Sequence, residues 1–578
     1  MIRSFPEHTI RSVLSLDGLW EFLPECDDKV MDLPENYTRV LETPSVWESL
    51  PDLRKYRGRG WYRRSVQFPG GNLRLAFGGV SHSATVYVNG EERGTHYDAF
   101  TPWDVIVPDL EAGSLDVVVE VDNTFGPHST LHIPNDYYTY GGITRPVELH
   151  VLPDVYIQEL HVTPRAVQDG WELDVHVRIH NFGEDREDCK LELMLPEIGE
   201  GKELELDTLP SGESEVVFSC LEHLDVEPWA ESTPNLYMVV ATLIADGKEL
   251  DDKIDRVGFR EVRVDGHRLL LNGEELRLRG FNRHEDHPQF GCAATENVMA
   301  YDLGLFENLN ANFLRTCHYP NDQRILDMCD ERGIYVWEES HSRQTPFNPP
   351  KFQEQILQNT REMIAAHRNH PSIVIWGSLN ECDTRSRKGY EVHKEVLNLI
   401  RDLDDSRPVT YAANHKKEDT CLGLADIVSL NFYVGWYELE AQECGEYFAD
   451  FLQWLDSDKS HGAQGKPIIL SEFGAGAIYG CRNPQGDPWS EEGQAEVLNE
   501  TLACYLHHPR IVGAAIWQFC DVRVSREKNE SPFNSYGPMG RPRTMNNKGL
   551  VDEYRRPKLA YNTVREHFRI AEKKFGTL

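Results

Sequence analysis

The stretch Ile373–Glu381 reads IVIWGSLNE, an apolar strand run that stops on a carboxamide and a carboxylate. A second stretch, Pro467–Glu472, reads PIILSE and has the same form. From about Asp265 onward such runs recur: LRLRGFNRH, ANFLRTCHYP, GIYVWEES, IVIWGSLNE, VTYAAN, IVSLNFY, PIILSEFG and GAAIWQF. Amphipathic stretches, NVMAYDLGLFENLN and YEVHKEVLNLIRDLD among them, lie between several of these runs. Eight strand–helix units predict a (β/α)8 TIM barrel over residues 264–578. The competing doubly wound sheet needs a glycine-rich phosphate turn after its first strand, and the sequence shows none.

Upstream the pattern is β. Over residues 1–152, short alternating strands such as LRLAFGGV, SATVYVNGEERG and SLDVVVEVDN are broken by turns, with Asn89-Gly90 as a hairpin signal. This predicts a β-sandwich. Residues 153–263 alternate with a period of two, as in WELDVHVRIHNFG and LYMVVATLIADG, and predict an immunoglobulin-like β-sandwich. The chain is thus read as multidomain, β plus α/β.

The formal net charge of −36 disfavours binding to nucleic acid or to an anionic membrane surface. It also repels an acidic substrate, so a site for one needs local positive charge. The N-terminal residues lack a signal-peptide core, and no stretch is apolar enough to span a bilayer. The twelve cysteines form no CxxC pair and read as reduced thiols, so the expected location is cytoplasmic. The sequence HEDH at His284–His287 lacks metal-ligand spacing, and no metal is expected.

In a barrel of this kind the chemistry lies at the C-terminal ends of the strands. Those ends carry Asn282, Arg283, His284 and Glu285; Arg315, His318 and Tyr319; Glu338 and Glu339; Asn380 and Glu381; Asn431 and Tyr433; Glu472; and Trp517, Gln518 and Asp521. One glutamate at a strand end more often pairs with an arginine and does nothing else. Two, at the ends of strands four and seven, match the paired carboxylates of a retaining glycosidase. Asn380 then stands where an amide can hold the sugar 2-hydroxyl. Tyr433 can orient the nucleophile, and Trp517 offers a flat wall for a pyranose ring.

These motifs, with SLDGLWEF, WYRRSVQFP, VNGEERGTHYDAFTPW and YYTYGGITRPVELH upstream, resemble glycoside hydrolase family 2 along nearly the whole chain. The resemblance implies a jelly-roll sugar-binding domain at the N-terminus, Glu381 as acid/base and Glu472 as nucleophile. Within the family the chain is most similar to β-glucuronidases. LNFYVGWY, which contains Tyr433 and Tyr437, resembles their active-site tyrosine segment. NNKG resembles their Asn-x-Lys motif, which implies that Asn546 and Lys548 grip a uronic acid carboxylate, with Arg543 nearby. Asp136 matches an aspartate reaching the distal hydroxyls, and His284 and His318 match the sugar site. The segment SHSRQTP departs from the family pattern with His341 and Arg343, and Arg343 is expected to help choose between glucuronide and galacturonide.

The resulting expectation is an exo-acting, retaining β-hexuronidase that hydrolyses terminal β-D-glucuronides by double displacement, with no cofactor. A β-galacturonidase is the nearest alternative. A β-galactosidase is less favoured, because a neutral sugar leaves Lys548 unpaired, and an inactive carbohydrate-binding homologue is last. Family likeness implies a homo-oligomer, tetramer or dimer.

Overall fold

The computed structural model describes residues 2–576, apart from 28–32, 169, 188, 207 and 526–539; within 218–223 it describes the backbone alone. Three β-rich or α/β layers follow in chain order. The first packs a four-stranded sheet against a six-stranded one around Trp20, Phe22, Trp47, Tyr62 and Phe77. Its hairpin Ser83–Val88 to Glu91–Tyr97 turns on Asn89 and Gly90, with φ of 53° and 85°, as a two-residue primed turn requires. The second packs a three-stranded sheet on a four-stranded one. Gly170–Asn181 there alternates strictly between half-buried and buried positions, as a sandwich strand must.

The third layer is a closed barrel of eight parallel strands. These are β1 (Leu278–Asn282), β2 (Phe313–Arg315), β3 (Tyr335–Glu339), β4 (Ile373–Asn380), β5 (Val409–Ala413), β6 (Val428–Asn431), β7 (Ile468–Phe473) and β8 (Ile511–Ile516). The first seven fall within runs read from the sequence, and β8 begins two residues before its run, GAAIWQF. The small sheet Val262–Asp265, Arg268–Leu271 and Glu274–Glu275 packs Val262, Leu269 and Leu271 with Leu278, Phe313 and Tyr335, closing the end opposite the mouth.

One unit departs from the expected eight. Between β5 and β6 there is no α-helix, only the 3-10 turns Lys416–Glu418 and Leu422–Leu424. Asp419 accepts hydrogen bonds from Tyr411 Oη (2.8 Å) and from the backbone N–H of Cys421 (2.7 Å), holding that connection as a turn.

The jelly-roll is locked to the barrel by buried charge. Arg145 donates to Glu285 (2.9 Å) and to the carbonyls of Phe100 and Pro320, while Glu285 also accepts from Asp322 N–H. The N-terminal arm continues this: Arg11 forks onto Asp251 of the second sandwich, and Arg3 onto Asp327 of the barrel. Replacing Glu285 by Ala leaves the Arg145 guanidinium buried without a carboxylate. The expected loss is about 3–5 kcal/mol, read as a lower unfolding midpoint in calorimetry, with Glu285→Gln intermediate.

Candidate active site

β4 ends at Asn380, and the chain leaves it through Glu381, whose φ of 51° is left-handed. Backbone bonds from Asn380 to Ser342 and from Glu381 to Ala412, each 2.9 Å, hold this turn. In a continuing strand the two neighbours would face opposite sides. The turn brings both side chains to the mouth of the barrel.

Arg315, at the end of β2, is fully buried there and all five of its N–H donors are engaged. Nε and Nη2 fork onto Glu339 at 2.9 and 2.8 Å, and Nη2 also reaches Asn380 Oδ1 at 2.8 Å. Nη1 reaches Asn282 Oδ1 at 2.7 Å and Glu472 Oε1 at 3.0 Å. Tyr433 donates to the other oxygen of Glu472 at 2.6 Å. Glu381 accepts from Asn431 at 3.0 Å and from Gln344 at 2.9 Å. Asn380 keeps its Nδ2 buried with no partner among the described residues, a donor available to a ligand.

The mouth therefore holds three carboxylates around one guanidinium. Burial, and then the charge of Glu381, push the Glu472 carboxyl up to about 7, against the opposing bonds from Arg315 and Tyr433. Burial likewise raises Glu339, with Arg315 opposing. Crowding of like charge and burial thus oppose ionisation of Glu472 and Glu339.

A cationic cluster adjoins them. Lys548 is 2% exposed, its Nζ 2.6 Å from Tyr437 Oη and above the rings of Tyr433 (4.3 Å) and Tyr437 (4.1 Å). No acidic side chain of the described residues forms a salt bridge with it. Burial holds the ammonium below the ordinary lysine value, with Tyr437 opposing and Arg541 adding to the shift. Asp136, from the jelly-roll, is gripped by Arg541 on both oxygens and accepts from Asn546 Nδ2 at 3.0 Å. It reaches the mouth as expected, but as a brace for Arg541 and Asn546.

His318 stacks on Trp517 at 5.0 Å, and His284 meets that ring edge-on at 5.4 Å. Burial, followed by the charges of Arg343 and Arg315 at His284 and of Arg315 at His318, depresses both imidazoles far below neutrality. Both are neutral hydrogen-bonding walls. Arg343 Nη2 lies 3.8 Å from Glu381 Oε2, at the mouth. His341 turns away, toward Asp98 of the jelly-roll at 3.4 Å.

Arg543 is not brought to this site. Its backbone is left-handed, and its half-exposed guanidinium pairs with Glu553 and lines a separate cavity. Arg541, two residues earlier in the same loop, takes the position expected of it. The sequence offered no means of choosing between them, because the partner, Asp136, lies 405 residues away. Gln344, which bonds Glu381 across 37 residues, and Tyr137, whose ring lies 4.7 Å from that of His284, were also missed, because local spacing encodes neither contact. Other rim residues alternate away from the mouth: Arg283 pairs with Asp302, Glu338 with His367, and Asp521 with Lys558. The HEDH residues disperse to Tyr319, Arg145, Tyr140 and Phe290.

Comparison with known proteins agrees with this geometry. The description "Glycosyl hydrolases family 2, TIM barrel domain" matches residues 262–571, more than half of the chain. The chain belongs to glycosyl hydrolase family 2. The family's central domain matches residues 155–260 and its sugar binding domain residues 27–153, so this is a glycoside hydrolase throughout its length. A family 2 β-galacturonidase from Eisenbergiella tayi, solved with galacturonate bound, is 42% identical with a TM-score of 0.90, covering 99% of each chain. A β-glucuronidase from Streptococcus agalactiae is 27% identical, covering 95% of this chain and 94% of its own. A β-D-glucuronidase structure from Dictyoglomus thermophilum is 25% identical with a TM-score of 0.80, covering 98% of each.

A raised Glu472 fixes the sign of a pH test. A carboxyl titrating at about 7 is ionised above that pH and protonated below it. The acid limb of kcat/KM is expected near pH 7. Tyr433→Phe removes a bond that favours the carboxylate, so it shifts that limb upward; an unmoved limb contradicts the assignment.

Proposed function

We propose that this glycoside hydrolase releases a terminal β-linked uronic acid by two retaining steps, with β-galacturonides preferred over β-glucuronides. One observation carries the uronide reading. Lys548 is a buried ammonium without an acidic partner among the described residues, and it lies over the ring of Tyr433, whose hydroxyl bonds Glu472. Burying an unpaired charge costs several kcal/mol. A substrate carboxylate between Lys548, Asn546 and Arg541 supplies the missing partner; a neutral galactoside does not.

With the carboxylate held there, the anomeric carbon faces Glu472. Ionised Glu472 attacks it while protonated Glu381 gives its proton to the departing oxygen. Tyr433 and Arg315 fix the two oxygens of Glu472. The unused Nδ2 of Asn380 donates to the sugar 2-hydroxyl, a bond that strengthens as the ring gains positive charge. Glu381 then takes a proton from the water that releases the sugar. These steps draw on side chains alone, and the reading needs no cofactor. The bonds that hold Glu381, Glu472, Asn380 and Tyr433 at the mouth weigh against an inactive binding homologue.

The order of the two epimers reverses the one expected from the motifs. The identity of 42% to a β-galacturonidase, against 27% and 25% to the two glucuronidases, favours the galacturonide. Arg343, placed beside Glu381, is the residue proposed to read the C4 epimer.

Lys548→Met is expected to lower kcat/KM for both aryl β-uronides by about 100-fold or more, the equivalent of a lost buried charge pair at about 2–5 kcal/mol. Any activity on an aryl β-galactoside should not fall; an equal loss on all three substrates contradicts the carboxylate grip. Glu472→Gln should abolish turnover with the fold intact. Arg343→Ala should change the galacturonide-to-glucuronide ratio by about tenfold (~1.4 kcal/mol), and an unchanged ratio removes Arg343 from epimer choice.

A further inference from the structure

Behind the short strand Met545–Asn546, which pairs with Val522–Arg523, lies a cavity of about 370 Å3 between the jelly-roll and the barrel. It is within the range of small-molecule sites, about 300–1,000 Å3. It is distinct from the mouth. Asn546 turns to Asp136, while its neighbour Met545 lines the cavity, as alternation along a strand requires. The same segments serve both sites: Asp136 and His284 at the mouth, Tyr140 and Asp286 at the cavity.

Its wall carries buried acceptors that nothing among the described residues satisfies. Glu48 is 4% exposed; its Oε2 accepts from Gly141 N–H at 3.1 Å, and its Oε1 has no partner among the described residues. Glu553 gives one oxygen to Arg543, and its Oε2 is buried with no partner among the described residues. The same wall carries positive charge. The Arg54 and Arg523 guanidinia have no acidic partner among the described residues, and Arg523 lies 3.7 Å over the ring of Tyr138. Two tyrosine rings, Tyr140 and Tyr554, complete the lining.

We propose that this cavity is a second, non-catalytic binding site for an acidic monosaccharide, a hexuronate. Arginines bind its single carboxylate, the free carboxylate oxygens accept its hydroxyls, and tyrosine faces suit a pyranose ring. A phosphate dianion brings twice the negative charge of a hexuronate against Glu48, Asp286 and Glu553 and lacks the array of hydroxyls that the free oxygens would accept. A neutral sugar leaves the arginines unanswered, and a metal ion meets three of them. The ligand class follows from the cavity's own groups and does not depend on the substrate assigned to the mouth.

The test is calorimetric titration of the full-length Lys548→Met protein with D-galacturonate, the mouth being disabled by that change. One uronate site is expected to remain. Adding Glu48→Gln, which keeps the bond to Gly141 but replaces the free oxygen, should weaken it at least tenfold. Adding Ser49→Trp, which fills the cavity from its exposed rim, should abolish it. D-Galactose should not bind, and inorganic phosphate should not compete. The proposal is overturned if Lys548→Met binds no uronate, if both added changes leave binding intact, or if phosphate displaces uronate at equal concentration. Absence of aryl uronide hydrolysis by the unaltered protein, with uronate binding by Lys548→Met retained, would count against the proposed function alone.

Discussion

The Arg315 guanidinium is the constraint on which the site depends. It joins Asn282 on β1, Glu339 on β3, Asn380 on β4 and Glu472 on β7, so that two of the three carboxylates at the mouth share one cation. Its charge is fixed at any pH the protein meets. Every neighbour is therefore set relative to a constant cation: Glu472 has one oxygen held by Arg315 and the other by Tyr433. Glu381, by contrast, receives no bond from Arg315 and is held by two amides, from Asn431 and Gln344. Glu472 is hydrogen-bonded to its cation at 3.0 Å, whereas Glu381 has Arg343 only at 3.8 Å, and environments this different let identical groups take different roles.

A second asymmetry lies in charge over distance. The chain has a net charge of −36, yet the mouth offers the cations Lys548 and Arg541 side by side. Aromatic rings surround Lys548 and exclude water, so its field acts at full strength on whatever carboxylate enters. Asp136 reaches across from the jelly-roll to hold Arg541 in place. The first domain thus contributes to the site by bracing it.

Local patterns carried most of the fold. All eight barrel strands were legible because each is a short apolar run ending in polar residues, and the Asn89-Gly90 turn was legible because it requires φ above zero twice. The missing helix between β5 and β6 was not, because its replacement depends on Asp419 capturing Tyr411 and Cys421. In the site, Glu381, Glu472, Asn380, Tyr433 and Lys548 sit beside recognisable strand ends and came together. The choice of Arg541 over Arg543, and the engagement of Asp136, rest on contacts across hundreds of residues, and no local spacing encodes them.

The most direct measurement is kcat/KM of the unaltered protein on three aryl β-glycosides: galacturonide, glucuronide and galactoside. The account predicts the galacturonide first, the glucuronide second, and the galactoside at least about 100-fold below, since it leaves Lys548 unpaired at a penalty of about 2–5 kcal/mol. Hydrolysis of the galactoside as fast as either uronide would contradict it.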